Sequence, residues 1–141
     1  MTQEQLWSKL DVLKANLDKL ARVPAGSLEE FTGDFRNVAS TLYLLQTSIQ
    51  ALIDLGSVIV ASRALPTPRT SHDVFARLEE AELLPPGTAA RFSPIVGFRN
   101  RVVHLYDRID ERRVYEILTV HRQDLAELAD LLLAALEQPE S

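Results

Sequence analysis

The sequence has no cysteine, one methionine, one tryptophan and three histidines in 141 residues. Without cysteine it forms no disulfide and no thiolate metal site, which fits a reducing cytosol. The histidines, His72, His104 and His121, stand far apart and give no metal-ligand spacing. No apolar run reads as long enough to cross a membrane, and the polar N-terminus lacks the apolar stretch of a signal peptide. There is no strand-like alternation, internal repeat or low-complexity segment. A net charge of −5 argues against indiscriminate nucleic-acid binding. The expectation is one cytoplasmic, membrane-free domain over residues 1–141, with 46% hydrophobic residues to build its core.

What is present is helical periodicity. Leu6, Leu10, Leu13, Leu17 and Leu20 alternate spacings of four and three and lay one apolar stripe on a first helix. Pro24 and Gly26 end it, and Ser27 with Glu30 suggests a capping box. A long second helix then carries Leu28, Phe31, Phe35, Val38, Leu42, Leu45, Ile49, Leu52 and Ile59 on one stripe, interrupted by Gly56, which allows close approach of another helix. Pro66 and Pro68 make a connection, followed by a short helix with Val74, Phe75, Leu78 and Leu83. Thr88 is a candidate cap for a fourth segment. Ser93-Pro94 either starts a helix or kinks one. A last helix runs from Asp110-Glu111 through Val114, Ile117, Leu125, Leu128, Leu132 and Leu136 to Pro139. The fold expected is an all-α, up-and-down bundle of about 4–5 helices with a long second helix.

The chemistry concentrates in Gly97-Phe98-Arg99-Asn100-Arg101-Val102-Val103-His104-Leu105-Tyr106. Arg99 is permanently cationic and its fork matches two phosphate oxygens. A histidine such as His104, with an ordinary pKa near ~6.5, gives or takes a proton at neutral pH. Asn100 offers two donors and an acceptor, and Tyr106 a hydroxyl. On a helix, Asn100 and His104 share one face, and Arg99 and Tyr106 share the neighbouring stripe. Arg99 and His104 lie about 140° apart, so they converge only through arginine's reach, a bend, or a second copy of the helix in a dimer. From Arg91 to Arg113 six arginines face three acids, a net of +3 that leaves −8 for the rest. A solvated arginine-rich face explains that asymmetry equally well.

The pattern Arg99-x4-His104, with Asn100 after the arginine and Tyr106 two past the histidine, resembles the signature of HEPN domains. Within them it is most similar to the HepT-like toxins encoded beside small nucleotidyltransferase antitoxins. The segment Leu42 to Gln50 with Asp54-Leu55-Gly56 resembles that family's second helix, and Phe92 to Gly97 its lead-in to the Arg-Asn pair. The likeness runs from about residue 28 to about 135.

The resemblance implies a metal-independent endoribonuclease without a cofactor, acting as a homodimer on RNA such as tRNA or mRNA. It implies catalytic roles for Arg99, His104 and Asn100. It also implies that a nucleotidyltransferase-fold antitoxin silences the protein by adding AMP to Tyr106. Asp54, among apolar neighbours, needs a partner. Arg99 or Arg101 is the expected one, making Asp54 and Arg101 candidate supporting residues. The plainer readings are a structural Arg99 ion pair, a gap-filling His104, an Asn100 bonded to backbone, a half-buried Tyr106 and a structural Asp54 salt bridge. His72 and His121 read as surface or capping residues, and Trp7 as core or interface. The competing function is a non-catalytic nucleotide- or partner-binding accessory subunit of a nucleotidyltransferase.

Overall fold

The computed structural model describes residues 2–104 and 108–139, with the backbone alone for residue 104. The α-helices among them are α1 (Gln3–Arg22), α2 (Leu28–Thr32), α3 (Phe35–Ser62), α4 (Ser71–Glu80), α5 (Thr88–His104), α6 (Glu111–Val120) and α7 (Arg122–Glu137), and no described residue is in a strand. The all-α bundle stands, with more helices than the apolar stripes alone suggest. Two stripes are each broken once. Low helix propensity at Gly33 and a better use for Asp34 split the second helix. The Asp34 carboxylate accepts from the Arg36 N–H at 2.9 Å and so caps α3. The break makes Phe35 the first residue of α3, where it is 80% exposed rather than on the core stripe, while the stripe itself resumes at Val38. The last helix is split at His121, whose φ of −107° and ψ of 1° end α6 and begin α7.

Capping differs in detail from expectation. The reciprocal box forms at Thr2 and Gln5, at the start of α1. Ser27 gives the forward half for α2, its hydroxyl accepting from the Glu30 N–H at 3.0 Å. Thr88 is not a side-chain cap; it is the first residue of α5, buried, and its hydroxyl donates to the Pro85 carbonyl at 2.6 Å. Pro94 lies inside α5, which runs continuously through it, so it does not start a helix.

The bundle is organised around α3. The pairs Asn16 with Thr47 and Lys9 with Asp54 run in opposite order, so α1 lies antiparallel on it. The other five helices also pack on α3. Its side chains Leu45, Ile49, Leu52, Leu55 and Ile59 are sealed in the core with Phe31, Phe75, Phe92 and Ile95 from neighbouring helices. By length and composition alone α3 could cross a membrane, contrary to the expectation that no run is long enough. Thirteen of its residues are buried inside the bundle, which is where its apolarity is used.

Gly56 does allow a close approach: a Cβ there would stand 2.7 Å from the Val74 Cγ1 of α4. Two connections need left-handed backbone. Ala64 (φ 52°) turns the chain out of α3, with the Leu65 N–H reaching back to the Val60 carbonyl at 3.0 Å. Gly87 (φ 89°) leads into α5. Of the aromatic residues expected in core or interface, Trp7 is half exposed on α1 and so is not core.

Candidate active site

The site is built on the middle of α5, where the helix crosses α3. Apolar residues fix its rotation: Phe92, Ile95, Val96, Phe98 and Val102 are buried and hold one face of α5 against the core. Arg99 and Asn100 are then carried to the edge of that face, both partly buried, while Arg101 is turned out to solvent.

Arg99 is held from two sides. One terminal nitrogen of its guanidinium donates to the Asn100 side-chain oxygen at 3.2 Å. The other donates to the Gln50 side-chain oxygen on α3. Its Nε is buried and, among the described residues, has no acceptor. Gln50 in turn donates through its Nε2 to Asp54 Oδ1 at 2.7 Å. The other Asp54 oxygen accepts from Lys9 Nζ on α1, also at 2.7 Å. Thus the expected direct contact of Asp54 with Arg99 or Arg101 does not form. A lysine takes one carboxylate oxygen and an amide takes the other, so Asp54 reaches Arg99 through Gln50.

Gln50 and Lys9 are the residues that sequence reasoning overlooked. The signal for Gln50 was its i,i+4 spacing to Asp54 on an otherwise apolar helix, which puts both on one face. Lys9 had no local signal, because its partner is 45 positions away.

Arg101 belongs to a different surface. With Arg108 and Arg113 it lines a cleft of about 390 Å³ walled by Pro94, Gly97, Phe98, Ile109 and Asp110. No Cβ contact would limit a side chain at Gly97. The arginine-rich segment is only partly free. Arg91 pairs with Asp124 at 3.0 Å and with Glu127, tying α5 to α7, and its pKa is raised chiefly by the Glu127 hydrogen bond. Arg113 pairs with Glu116 at 2.8 Å.

His72 packs its Nε2 3.3 Å from the Ser93 carbonyl, and His121 Nδ1 lies 2.9 Å from Asp124 at the α6–α7 joint. Both do structural work at helix junctions. His104 is the last described residue of α5, by its backbone alone; its side chain and the whole of Tyr106 lie outside the described residues.

The arrangement presents a guanidinium whose orientation is fixed by neutral acceptors, on a helix whose sequence also carries a histidine. Such a guanidinium can bind an anionic oxygen and stabilise charge that grows on it.

The chain matches the family model for ribonuclease HepT-like proteins over residues 13–132. It is 32% identical over 108 residues to the tRNA nuclease HepT of Aphanizomenon flos-aquae, covering 77% of this chain and 74% of that protein. It is 26% identical over 127 residues to the mRNA nuclease HepT of Shewanella oneidensis, covering 90% of this chain and 95% of that one. Among solved structures it resembles a tri-AMPylated HEPN toxin of Shewanella oneidensis in complex with an MNT antitoxin. The TM-score is 0.81 at 25% identity, over 95% of this chain and 99% of that one. With a matching family model across most of its length and a relative at this identity, the chain belongs to the HepT-like ribonuclease family.

Proposed function

We propose that this protein is the toxin of a toxin–antitoxin pair, a single-domain endoribonuclease that cuts RNA without a metal ion at Arg99 and His104. The observation that carries the reading is the guanidinium of Arg99, pinned by Gln50 and Asn100 on the same helix as His104. Family membership supplies the reaction class.

In the proposed reaction a ribose 2′-hydroxyl attacks the adjacent phosphorus and the 5′-oxygen leaves. His104 takes the 2′-hydroxyl proton or delivers one to the leaving oxygen. The products are a 2′,3′-cyclic phosphate and a free 5′-hydroxyl. Arg99 binds the non-bridging phosphate oxygens, where negative charge grows at the transition state. Asn100 keeps the guanidinium turned toward the phosphate. DNA, which lacks the 2′-hydroxyl, is then not cut.

The rotation of about 140° that an ideal helix puts between positions 99 and 104 favours a homodimer, in which two copies of the helix face one cleft. Arg101 and Arg108 would then extend the positive surface that receives the RNA backbone. A nucleotidyltransferase antitoxin transferring AMP to Tyr106 would add a phosphate seven positions after Arg99 in the sequence, where it would compete with RNA for the guanidinium. The relatives named for tRNA and mRNA cleavage and the AMPylated toxin bound to its antitoxin support that assignment, in a cytosolic setting where RNA is available.

The test is incubation of the purified protein with total RNA in EDTA, beside a His104→Ala variant. Cleavage by the wild type alone is expected. A fully active His104→Ala variant, or an inactive wild type free of bound AMP, sinks the assignment. Light scattering that found only monomer at micromolar concentration would remove the shared cleft.

A further inference from the structure

Arg99 sits at the end of a line of polar side chains that crosses three helices: Lys9 on α1, Asp54 and Gln50 on α3, and Arg99 on α5. The order of groups is informative. Asp54 only accepts hydrogen bonds and Arg99 only donates them. A glutamine between the two therefore has one satisfactory orientation, with Nε2 toward Asp54 and Oε1 toward Arg99. Asp54 thus dictates which end of the Gln50 amide meets the guanidinium. Lys9 takes the remaining Asp54 oxygen at 2.7 Å and balances its charge.

The charge count follows. Lys9 and Asp54 cancel, Gln50 and Asn100 are neutral, and the whole line carries one positive charge, at Arg99. Had a carboxylate met Arg99 directly, it would have held the side chain equally well. It would also have cancelled the charge and competed with any incoming anion. A structural tie between α3 and α5 has no need of the intervening amide.

We propose that Lys9, Asp54 and Gln50 form a positioning chain that fixes the Arg99 guanidinium through an uncharged acceptor, so that it meets a phosphate preorganised and still fully cationic. This rests on Arg99 acting on the scissile phosphate. Gln50 and Asp54 are positioning residues: they touch Arg99 or each other, and the substrate touches Arg99.

The experiment measures cleavage of a mixed-sequence RNA oligonucleotide carrying a fluorophore and a quencher. The proteins are the wild type and the variants Arg99→Ala, Gln50→Leu, Asp54→Asn and Lys9→Met. Asn at position 54 offers one acceptor where two donors converge, so one contact is lost whichever way its amide turns. Gln50→Leu and Asp54→Asn are expected to lower kcat by roughly 10- to 100-fold with little change in KM, the size of loss that a misplacement of about 1 Å brings. Lys9→Met gives a smaller loss in the same direction. Adding Gln50→Leu to Arg99→Ala lowers residual cleavage no further, because both remove one function.

A second measurement does not depend on cleavage. By ¹⁵N NMR, rotation about the Arg99 guanidinium C–N bonds is expected to be slow in the wild type and faster in Gln50→Leu and Asp54→Asn. Arg99→Ala with full activity overturns the role of Arg99 in the chemistry. Loss of cleavage in Arg99→Ala with wild-type kcat in Gln50→Leu and Asp54→Asn overturns the positioning chain alone. So does a guanidinium that rotates equally fast in the wild type and in whichever of the two variants folds.

Discussion

Replacing Gly56 with alanine tests the packing that sets α4 against the helix carrying Gln50 and Asp54. Two effects of opposite sign compete. Alanine is the better helix former by about 1 kcal/mol, so on an exposed helix the change would stabilise. In this bundle the added methyl would lie 2.7 Å from Val74 Cγ1, with Phe75 Cε1 at 3.4 Å and Leu78 Cδ1 at 3.6 Å. That first distance is nearly an ångström inside ordinary contact. Val74 is β-branched, buried and on a helix, so its side chain has essentially one rotamer and cannot swing away. Phe75 and Leu78 close the other directions. Overpacking of this kind costs roughly 1–3 kcal/mol, which offsets or exceeds the propensity gain. The expected result in urea unfolding is a net loss of up to about 2 kcal/mol, or a fall in Tm of several degrees. Shortening the neighbour should reverse the sign. In a Val74→Ala background the same Gly56→Ala change has room, and it stabilises by up to about 1 kcal/mol. Stabilisation of the otherwise unmodified protein, or the same sign in both backgrounds, would refute the close approach.

Two further changes have defined outcomes. The Asp34 carboxyl is lowered from 3.8 to about 2, first by its side-chain hydrogen bond with Arg36. A depressed acid contributes stability above its unfolded pKa and loses it as pH falls toward the folded one. Asp34→Asn, which keeps a capping amide, should therefore melt slightly below the wild type near neutrality, and the gap should close between about pH 4 and pH 2; a gap that is constant over that range contradicts the assignment. Thr47→Val keeps the shape of a side chain whose hydroxyl accepts from the buried Asn16 amide at 2.8 Å. Stranding that amide should cost about 1–3 kcal/mol by chemical denaturation, and an unchanged midpoint would show that Asn16 finds another partner.

The helices were legible because their apolar residues repeat at the helical period. Leu6, Leu10, Leu13 and Leu20 are all buried on α1, and Val114, Ile117, Leu125, Leu128 and Leu132 on α6 and α7. Periodicity carries no information about short breaks that keep the rhythm going. The stripe therefore ran straight through Gly33-Asp34 and through His121, and it placed Phe35 in the core. The stretch around Arg99 and Asn100 was visible as a concentration of capable side chains. Their holders were not, because Lys9 and Gln50 stand 90 and 49 positions before Arg99 and their relation to it is purely tertiary. Asp54 was correctly read as needing a partner. Its partner came from α1 because the antiparallel packing of α1 on α3 decides which cation is near, and no local pattern encodes that pairing.

The central place of α3 has a consequence for how the protein is made. The chain is synthesised from its N-terminus, and α3 emerges complete when only α1 and α2 exist to cover it. Its faces toward α5, α6 and α7 wait for the second half of the chain. For that interval a 28-residue helix, long and apolar enough to cross a membrane, is exposed to the cell. Nascent chains stalled before α5 should thus be bound by chaperones that recognise apolar segments, and should aggregate where those chaperones are scarce. The same lateness means that Gln50 and Asp54 are in place before Arg99 is synthesised. The helix that carries Arg99 docks onto a holder already waiting for it, and a fragment that stops before α5 lacks that helix altogether.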